Sequence, residues 1–405
     1  MLTSQQILYI RHRSLSLLPQ IIAWRRDLHA IPELQMNTVQ TEAYIVNALR
    51  EMGITEIRSG VGGHGVIALI HGSAPGKCVA IRADCDALPI REETGLPFAS
   101  QNGNMHACGH DAHTAMALGA AKLLMECKEQ IKGTVKLIFQ PYEEGDRGAS
   151  AMIHDSALEN PRVDAIIALH NHVTPDDDYT PGDILVTQKP TSANIYAYEA
   201  TFHGPGGHVC LSRTTPNPVH MACNAVAQIA VLPEPGPETV NAVTVAQGGT
   251  RNNIVPNTCT IAGSIRSFEP ALQHIMRAQV EEILHKCAAA DNGSVEVKTT
   301  IDVMSTKIDP DLYSQFCEIA NALYGESGCK TLKYREMIGE DFARFANQVP
   351  GFYFFLHNRP EGSCYPLHNP KFDIDESVLD KGSALFAAFS IHFLNSKYNS
   401  NKAVD

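Results

Sequence analysis

Val135-Lys136-Leu137-Ile138-Phe139-Gln140-Pro141-Tyr142-Glu143-Glu144-Gly145 reads as a buried strand that stops at a proline and runs straight into two carboxylates. Proline cannot donate to a sheet ladder, so it marks where the strand ends. The same grammar recurs along the chain. Residues 78–81 form a short apolar run ending in charged residues, with Asp84 and Asp86 beyond it. Residues 163–169 form another, closed by His170, and residues 352–356 one more, late in the chain. Helical spacing intervenes: Ala43, Val46, Leu49 and Met52 repeat on one face, residues 113–131 continue the pattern with Gly133 as its stop, and residues 383–393 give a last helix. Continuous apolar strands alternating with helices predict an α/β fold, a mostly parallel mixed sheet flanked by helices on both faces.

The middle of the chain follows another rule. Residues 195–202 alternate like a half-exposed strand, and a helix follows over 218–230. Strands near 240–246 and 258–265, a helix over 270–289 and a strand near 294–300 complete the order βαββαβ. That is the arrangement of a ferredoxin-like unit, which closes a small core by itself. We therefore expect an inserted domain at 189–302, interrupting a catalytic domain made of 1–188 and 303–405. A chain of 405 residues is long enough for two cores.

Composition narrows the function. A net charge of −12 argues against nucleic acid as a partner, because phosphate binding needs a basic footprint. No segment approaches the roughly 18 uninterrupted apolar residues of a membrane span. Near the N-terminus the short run Ile7-Leu8-Tyr9-Ile10 meets Arg11-His12-Arg13 with no small-residue cleavage site, unlike a secretion signal. The cysteines number eleven, an odd count without regular spacing, which points to a reducing, cytoplasmic compartment rather than a disulfide framework.

The chemistry concentrates in His106-Ala107-Cys108-Gly109-His110-Asp111-Ala112-His113. Thiolate and imidazole are preferred ligands of zinc and related metals, and Gly109 permits a sharp turn between Cys108 and His110. A helix start with incidental polar residues is the bland alternative. Likewise Glu143 and Glu144 alone would pass for a solvated surface pair. Placement tells against that, since sites in open α/β sheets form beyond the carboxyl ends of strands. Asp84, Asp86, Glu143, Glu144 and His170 all follow strands, and His368 lies in a loop after the last one. Cys108, His110, Glu144, His170 and His368 thus supply five ligands, enough for two divalent cations about 3.5–4 Å apart that share a water and lower its pKa from about 15.7 toward about 7. Glu143, beside a ligand, suits the general base. Asp84 and Asp86 are candidates to orient a ligand imidazole, or else form a plain strand-end turn or helix cap.

These blocks resemble a known family, the metal-dependent amidohydrolases and carboxypeptidases that include hippurate hydrolases, N-acyl-amino-acid amidohydrolases and auxin-conjugate hydrolases. The resemblance runs from Arg25-Arg26-Asp27-Leu28-His29-Ala30-Ile31-Pro32-Glu33-Leu34 to Leu367-His368-Asn369-Pro370-Lys371-Phe372. It passes through Arg82-Ala83-Asp84-Cys85-Asp86-Ala87-Leu88-Pro89, the 105–113 block, Glu143-Glu144, Gly204-Pro205-Gly206-Gly207-His208, Asn252-Asn253-Ile254-Val255-Pro256-Asn257 and Gly339-Glu340-Asp341-Phe342. It implies a zinc-exopeptidase-like catalytic domain with the same five ligands and Glu143 as base. It also implies that His106, His113 and His172 are not ligands. The inserted domain becomes a lid and a homodimer interface. His208 would stabilise the substrate oxyanion, in cis or from a partner subunit, and Asn253 and Arg266 would grip the substrate carboxylate. Leu211-Ser212-Arg213 departs from the Pro-His that the family carries near that histidine, which puts substrate preference in question.

The expected reaction is hydrolysis of an N-acyl or N-aroyl amino acid to a carboxylate and a free amino acid, using zinc or else manganese, cobalt or nickel. A dipeptidase or carboxypeptidase on the same scaffold is one alternative, and a non-catalytic metal-binding protein the other. The last has no use for a base beside a ligand.

Overall fold

The computed structural model describes residues 2–174, 178–236, 238–326, 328–362 and 365–396, and the chain divides into two compact units. The first comprises Met1–Thr191, Thr306–Tyr334 and Asp341–Asp405, the second Ser192–Ser305 and Arg335–Glu340.

Strands of the first unit begin with β1 (Ile57–Val61), β2 (Gly65–His71), β3 (Ala74–Asp84), β4 (Lys132–Gln140), β5 (Ala165–His172) and β6 (Ile184–Val186). The second unit then contributes β7 (Asn194–His203), β8 (Gly207–His208), β9 (Thr239–Gly248), β10 (Ile254–Val255), β11 (Thr258–Ser267) and β12 (Ser294–Val303). The chain returns with β13 (Lys330–Thr331) and β14 (Gly351–His357).

The first unit's sheet has the order β1-β2-β4-β3-β5-β14-β6-β13. Its centre, β4-β3-β5-β14, is parallel, and antiparallel pairs flank it at β1-β2, β2-β4 and β14-β6. The apolar runs are continuous because both faces are covered. Val66, Ala68, Ile70, Val79, Ile81, Ala165 and Ile167 enter one core, and the alternate residues Ile67, Leu69, Cys78, Ala80, Ile166 and Ala168 enter the other. Helices Ser4–His29, His110–Glu126, Pro310–Tyr324 and Leu379–Asn395 pack on the first core, and Gly148–His154 and Phe342–Ala346 on the second. Phe316 meets Phe352 and Phe354 at 4.6 and 4.5 Å between ring centroids.

The structure departs from the sequence expectation in several details. The helix that starts at His110 ends at Glu126 rather than near 131, and Gly133 lies inside β4 instead of stopping a helix. A single turn, Lys128–Gln130, fills the gap. Nor does the apolar spacing mark the 26-residue helix Ser4–His29.

Helix Pro310–Tyr324 has Pro310 at its first position, and Asp309 caps it: Oδ1 accepts the N–H groups of Asp311 at 3.0 Å and Leu312 at 2.9 Å. Asp309→Ala should cost about 1 kcal/mol in urea unfolding. A midpoint equal to wild type would show the cap to be energetically idle.

In the second unit, four antiparallel strands have the order β12-β7-β11-β9, and helices Pro218–Ala230 and Pro270–Ala290 share a core with them. With the order βαββαβ, this is a ferredoxin-like sheet. Along β11, Cys259, Ile261 and Ile265 are buried while Thr258 is exposed, the alternation of a sheet covered on one face. The return segment ties in through backbone: Ala193 N–H donates to the Ile338 carbonyl at 2.9 Å.

Candidate metal centre

Three strand ends of the first unit build the site. β3 ends at Asp84, β4 at Gln140 just before Glu143-Glu144, and β5 at His172 just after His170. The fourth contribution is the start of helix His110–Glu126, where Gly109 is the N-cap with φ 83°. A Cβ at position 109 would lie 2.1 Å from the Asn171 side-chain nitrogen, so only glycine fits this turn.

Donor atoms of the five candidate ligands gather in overlapping sets. Those of Cys108, His110 and His170 lie within 4.8 Å of one another, as do those of Cys108, Glu144 and His368, and those of His110, Glu143 and Glu144. Cys108 belongs to two of these sets. Its Sγ stands 3.4 Å from His170 Nε2. His110 Nε2 is 3.9 Å from Glu144 Oε1 and 4.0 Å from Glu143 Oε2. His368 Nε2 is 3.3 Å from Glu144 Oε1.

Hydrogen bonds fix which imidazole nitrogen faces the cluster. His110 Nδ1–H donates to the Asp86 carbonyl at 2.9 Å, and His170 Nδ1–H to the Asn171 carbonyl at 2.7 Å. Each ring therefore presents the lone pair of Nε2. His113 is fully used elsewhere: its Nε2 accepts the Asn171 N–H at 3.0 Å, and its Nδ1–H donates to Asp84 Oδ1 at 2.6 Å. Both ring nitrogens of His106 are buried without a partner among the described residues, and burial pushes its pKa down to about 3. His172 pairs with His357, Nδ1 to Nδ1 at 3.0 Å.

The two aspartates take different parts. Asp84 Oδ2 accepts from Arg82 at 2.7 Å, and Arg82 also reaches Gln140 at 2.8 Å and Asp341 at 3.0 Å. Asp84 thus anchors His113, with His110 Nε2 3.8 Å away. Asp86 presents its backbone carbonyl to His110, while its carboxylate accepts the Glu143 N–H at 3.0 Å and the Glu144 N–H at 3.3 Å. Its side chain holds the acidic turn in place. No sequence signal reports this, because backbone donors are invisible in residue identity. Asn171, also unforeseen, touches three members of the cluster's scaffold.

The field invites cations. Burial opposes a proton on His110, but Asp84 and Cys108 outweigh it and raise its pKa well above the usual range. Burial drives the Cys108 thiol far up, and Glu144 adds to this, so only a bound cation would hold a thiolate there. Burial also lowers His170 to about 4, which leaves it a neutral donor of a lone pair. Among the described residues, no hydrogen bond of good geometry satisfies the buried His110 Nε2 or Glu144 Oε1, the latter having His368 Nε2 at 3.3 Å. Orphaned donors converging beside a thiol are what divalent metal ions would satisfy.

The second unit carries the remaining candidates. His208 and Ile254 are paired residues of the β8–β10 ladder, and Val209 N–H donates to the Asn253 carbonyl at 3.1 Å, so His208 and Asn253 are neighbours. His208 Nδ1 accepts the Cys210 N–H at 3.2 Å, which places the ring proton on Nε2. Arg266 is half-buried on β11 and donates to the Met337 carbonyl at 2.6 Å.

A mixed α/β sheet that gathers groups able to hold metal ions at its strand ends is the frame of a metal-binding class of protein. Comparison with known proteins gives the family: the profile of peptidase family M20/M25/M40 matches residues 80–392, and the chain belongs to it. It is 35% identical over 387 residues to thermostable carboxypeptidase 1 of Saccharolobus solfataricus, covering 93% of this chain and 95% of that one. It is 33% identical to N-acetyl-L-cysteine deacetylase of Bacillus subtilis, covering 90% and 86%. Its fold is similar to the crystal structure of the Bacillus subtilis YXEP protein, described as a dinuclear metal-binding peptidase of the M20 family. That match has a TM-score of 0.79 and 32% identity, over 94% of this chain and 99% of that one. Among the described residues, no helix is long and apolar enough to cross a membrane.

Proposed function

We propose that the protein hydrolyses the amide bond of N-acyl or N-aroyl amino acids, using two divalent cations held by Cys108, His110, Glu144, His170 and His368. The observation that supports this reading best is the overlap of the sets of possible ligand atoms: Cys108 is shared by one set with His110 and His170 and by another with Glu144 and His368. The deacetylase relative supports the acyl-amino-acid side of this reading. Zinc is the first choice because a thiolate is among the ligands, with manganese, cobalt or nickel as alternatives.

Bound there, the cations would polarise the scissile carbonyl and acidify a water. Glu143, held by its own N–H on Asp86, takes the proton and passes it to the leaving nitrogen. His208, with its proton on Nε2, is the proposed donor to the developing oxyanion, from the same or a partner subunit. Asn253 and Arg266 are the proposed grips on the substrate carboxylate. A lid role for the second unit, a homodimer through it and a cytoplasmic location belong to this proposal as well.

The second reading is a carboxypeptidase or dipeptidase, favoured by the identity to thermostable carboxypeptidase 1. The two differ in whether a free α-amine must be accommodated. Protein reconstituted with each metal should cleave hippurate-like substrates at least about tenfold faster, in kcat/KM, than unblocked dipeptides of the same residues. A reversed ratio would establish the peptidase reading. No turnover of either class would remove both.

A further inference from the structure

We infer that Asn171 is a positioning residue that clamps the Cys108–His110 turn to the strand carrying His170; the inference rests on the two-metal reading above. Asn171 is 2% exposed, and each of its polar atoms is engaged. Its N–H donates to His113 Nε2 at 3.0 Å, and its carbonyl accepts from His170 Nδ1 at 2.7 Å. Its side-chain Nδ2 donates to the Gly109 carbonyl at 2.9 Å, and its Oδ1 accepts from Asn358 at 2.5 Å. A peptide carbonyl can only accept, so the amide must turn its nitrogen toward Gly109, and the orientation of the whole side chain follows.

The consequence is geometric. Gly109 is the residue between Cys108 and His110, and Asn171 is the residue after His170. One side-chain hydrogen bond therefore joins the element bearing two proposed ligands to the element bearing a third. It fixes the 3.4 Å approach of Cys108 Sγ to His170 Nε2. The fit is reciprocal: the bare α-carbon of Gly109 leaves room for the amide, and a methyl there would meet it at 2.1 Å. The helix start does not depend on this bond, since the Gly109 carbonyl also accepts the N–H groups of Ala112 at 3.0 Å and His113 at 3.2 Å. Removing the amide should loosen the ligands while the helix keeps its first turn.

The test uses the full chain, stripped of metal and titrated with zinc by competition calorimetry. The proteins are wild type, Asn171→Ala, Asn171→Asp, Asn171→Ser, Gly109→Ala and the double variant Asn171→Ala/Gly109→Ala. Asn171→Asp keeps the shape but sets an oxygen against the Gly109 carbonyl. Weakening of zinc by about 10–100-fold in the Asn171 variants is expected, the range seen when groups that orient ligands are removed. In the cobalt-loaded forms the thiolate-to-metal charge-transfer band should shift or fade, which a general loss of stability would not produce. Gly109→Ala should weaken zinc less in the Asn171→Ala background than in wild type, because the clash has gone. Three Asn171 variants keep the result independent of any one failing to fold. Variants that bind zinc within about twofold of wild type, or an additive cycle, would overturn the clamp alone. Wild-type protein that binds no zinc would overturn the two-metal reading and the clamp with it.

Discussion

Glu143→Gln should bind its metals as wild type does and lose at least about 10²-fold in kcat on the preferred acyl-amino acid. The substitution is nearly isosteric and leaves the backbone N–H on which Asp86 anchors the turn. It spares Glu144, whose carboxylate lies with Cys108 and His368. What it removes is basicity: a neutral amide cannot accept the proton of an attacking water. Metal content by elemental analysis and steady-state rates on the same preparation decide the matter. A rate within about tenfold of wild type, at full metal content, would strip Glu143 of the role.

Arg25→Leu should destabilise the first unit by about 3–5 kcal/mol, the cost of breaking one side of a buried ion pair. Arg25 is completely buried in helix Ser4–His29. Its Nε donates to Asp111 Oδ2 at 2.8 Å, and its two terminal nitrogens reach Glu376 at 3.0 Å and Asp373 at 3.2 Å. Without it, Asp111 stays buried beside His110, a proposed ligand, and His29, 2.7 Å away, is the side-chain partner that remains among the described residues. Urea unfolding of the metal-free protein would show the loss; a midpoint near wild type would mean that the carboxylates rehydrate freely.

The same cluster predicts a pH dependence. Burial works against a charge on His29, but Asp111 and Glu92 outweigh it and push its pKa up to about 9. A raised folded-state pKa contributes stability that is complete below the unfolded value near 6.5 and is lost as pH climbs through about 9. Burial would raise Asp111, yet Arg25 and His29 hold it far below the carboxylate range, so its share is present above about 3.9 and is lost in acid. Metal-free wild type should therefore weaken between about pH 6.5 and 9.5, and His29→Gln should flatten that slope. An unchanged slope in the variant would assign it to other groups.

Much of the centre was legible because its chemistry resides in residue types. A thiol, carboxylates and imidazoles after predicted strands stand out, and the structure gathers their donor atoms at one place. What escaped were groups acting through the backbone. Asp86 steers Glu143 and Glu144 by their N–H groups, and Asn171 reaches the carbonyl of a glycine. Helix Ser4–His29 hid for another reason. Its buried positions Ile7, Ile10, Ser14, Leu17, Ile21, Trp24 and Leu28 keep a helical period, but a serine breaks the apolar stripe and Pro19 interrupts the pattern. Arg25 is buried there too, where only its distant partners make burial tolerable. The helix after Gly109 looked longer than it is because Ile131 continues the apolar count, whereas that side chain is buried just ahead of β4. The return of residues 335–340 to the second unit has no local signature, since it rests on main-chain bonds, the carbonyl that Arg266 finds, and an arginine, Arg335, whose partners Glu238 and Phe268 are distant in sequence.

β14 lies between β5 and β6, although the whole second unit separates it from them in the chain. During synthesis, β5 leaves the ribosome with one edge bare, and its neighbour is translated only after that unit has been made. An unpaired, apolar strand edge is a template for wrong partners. The nascent chain therefore carries that bare edge until residues 351–357 emerge, and the proposed ligand His368 emerges later still.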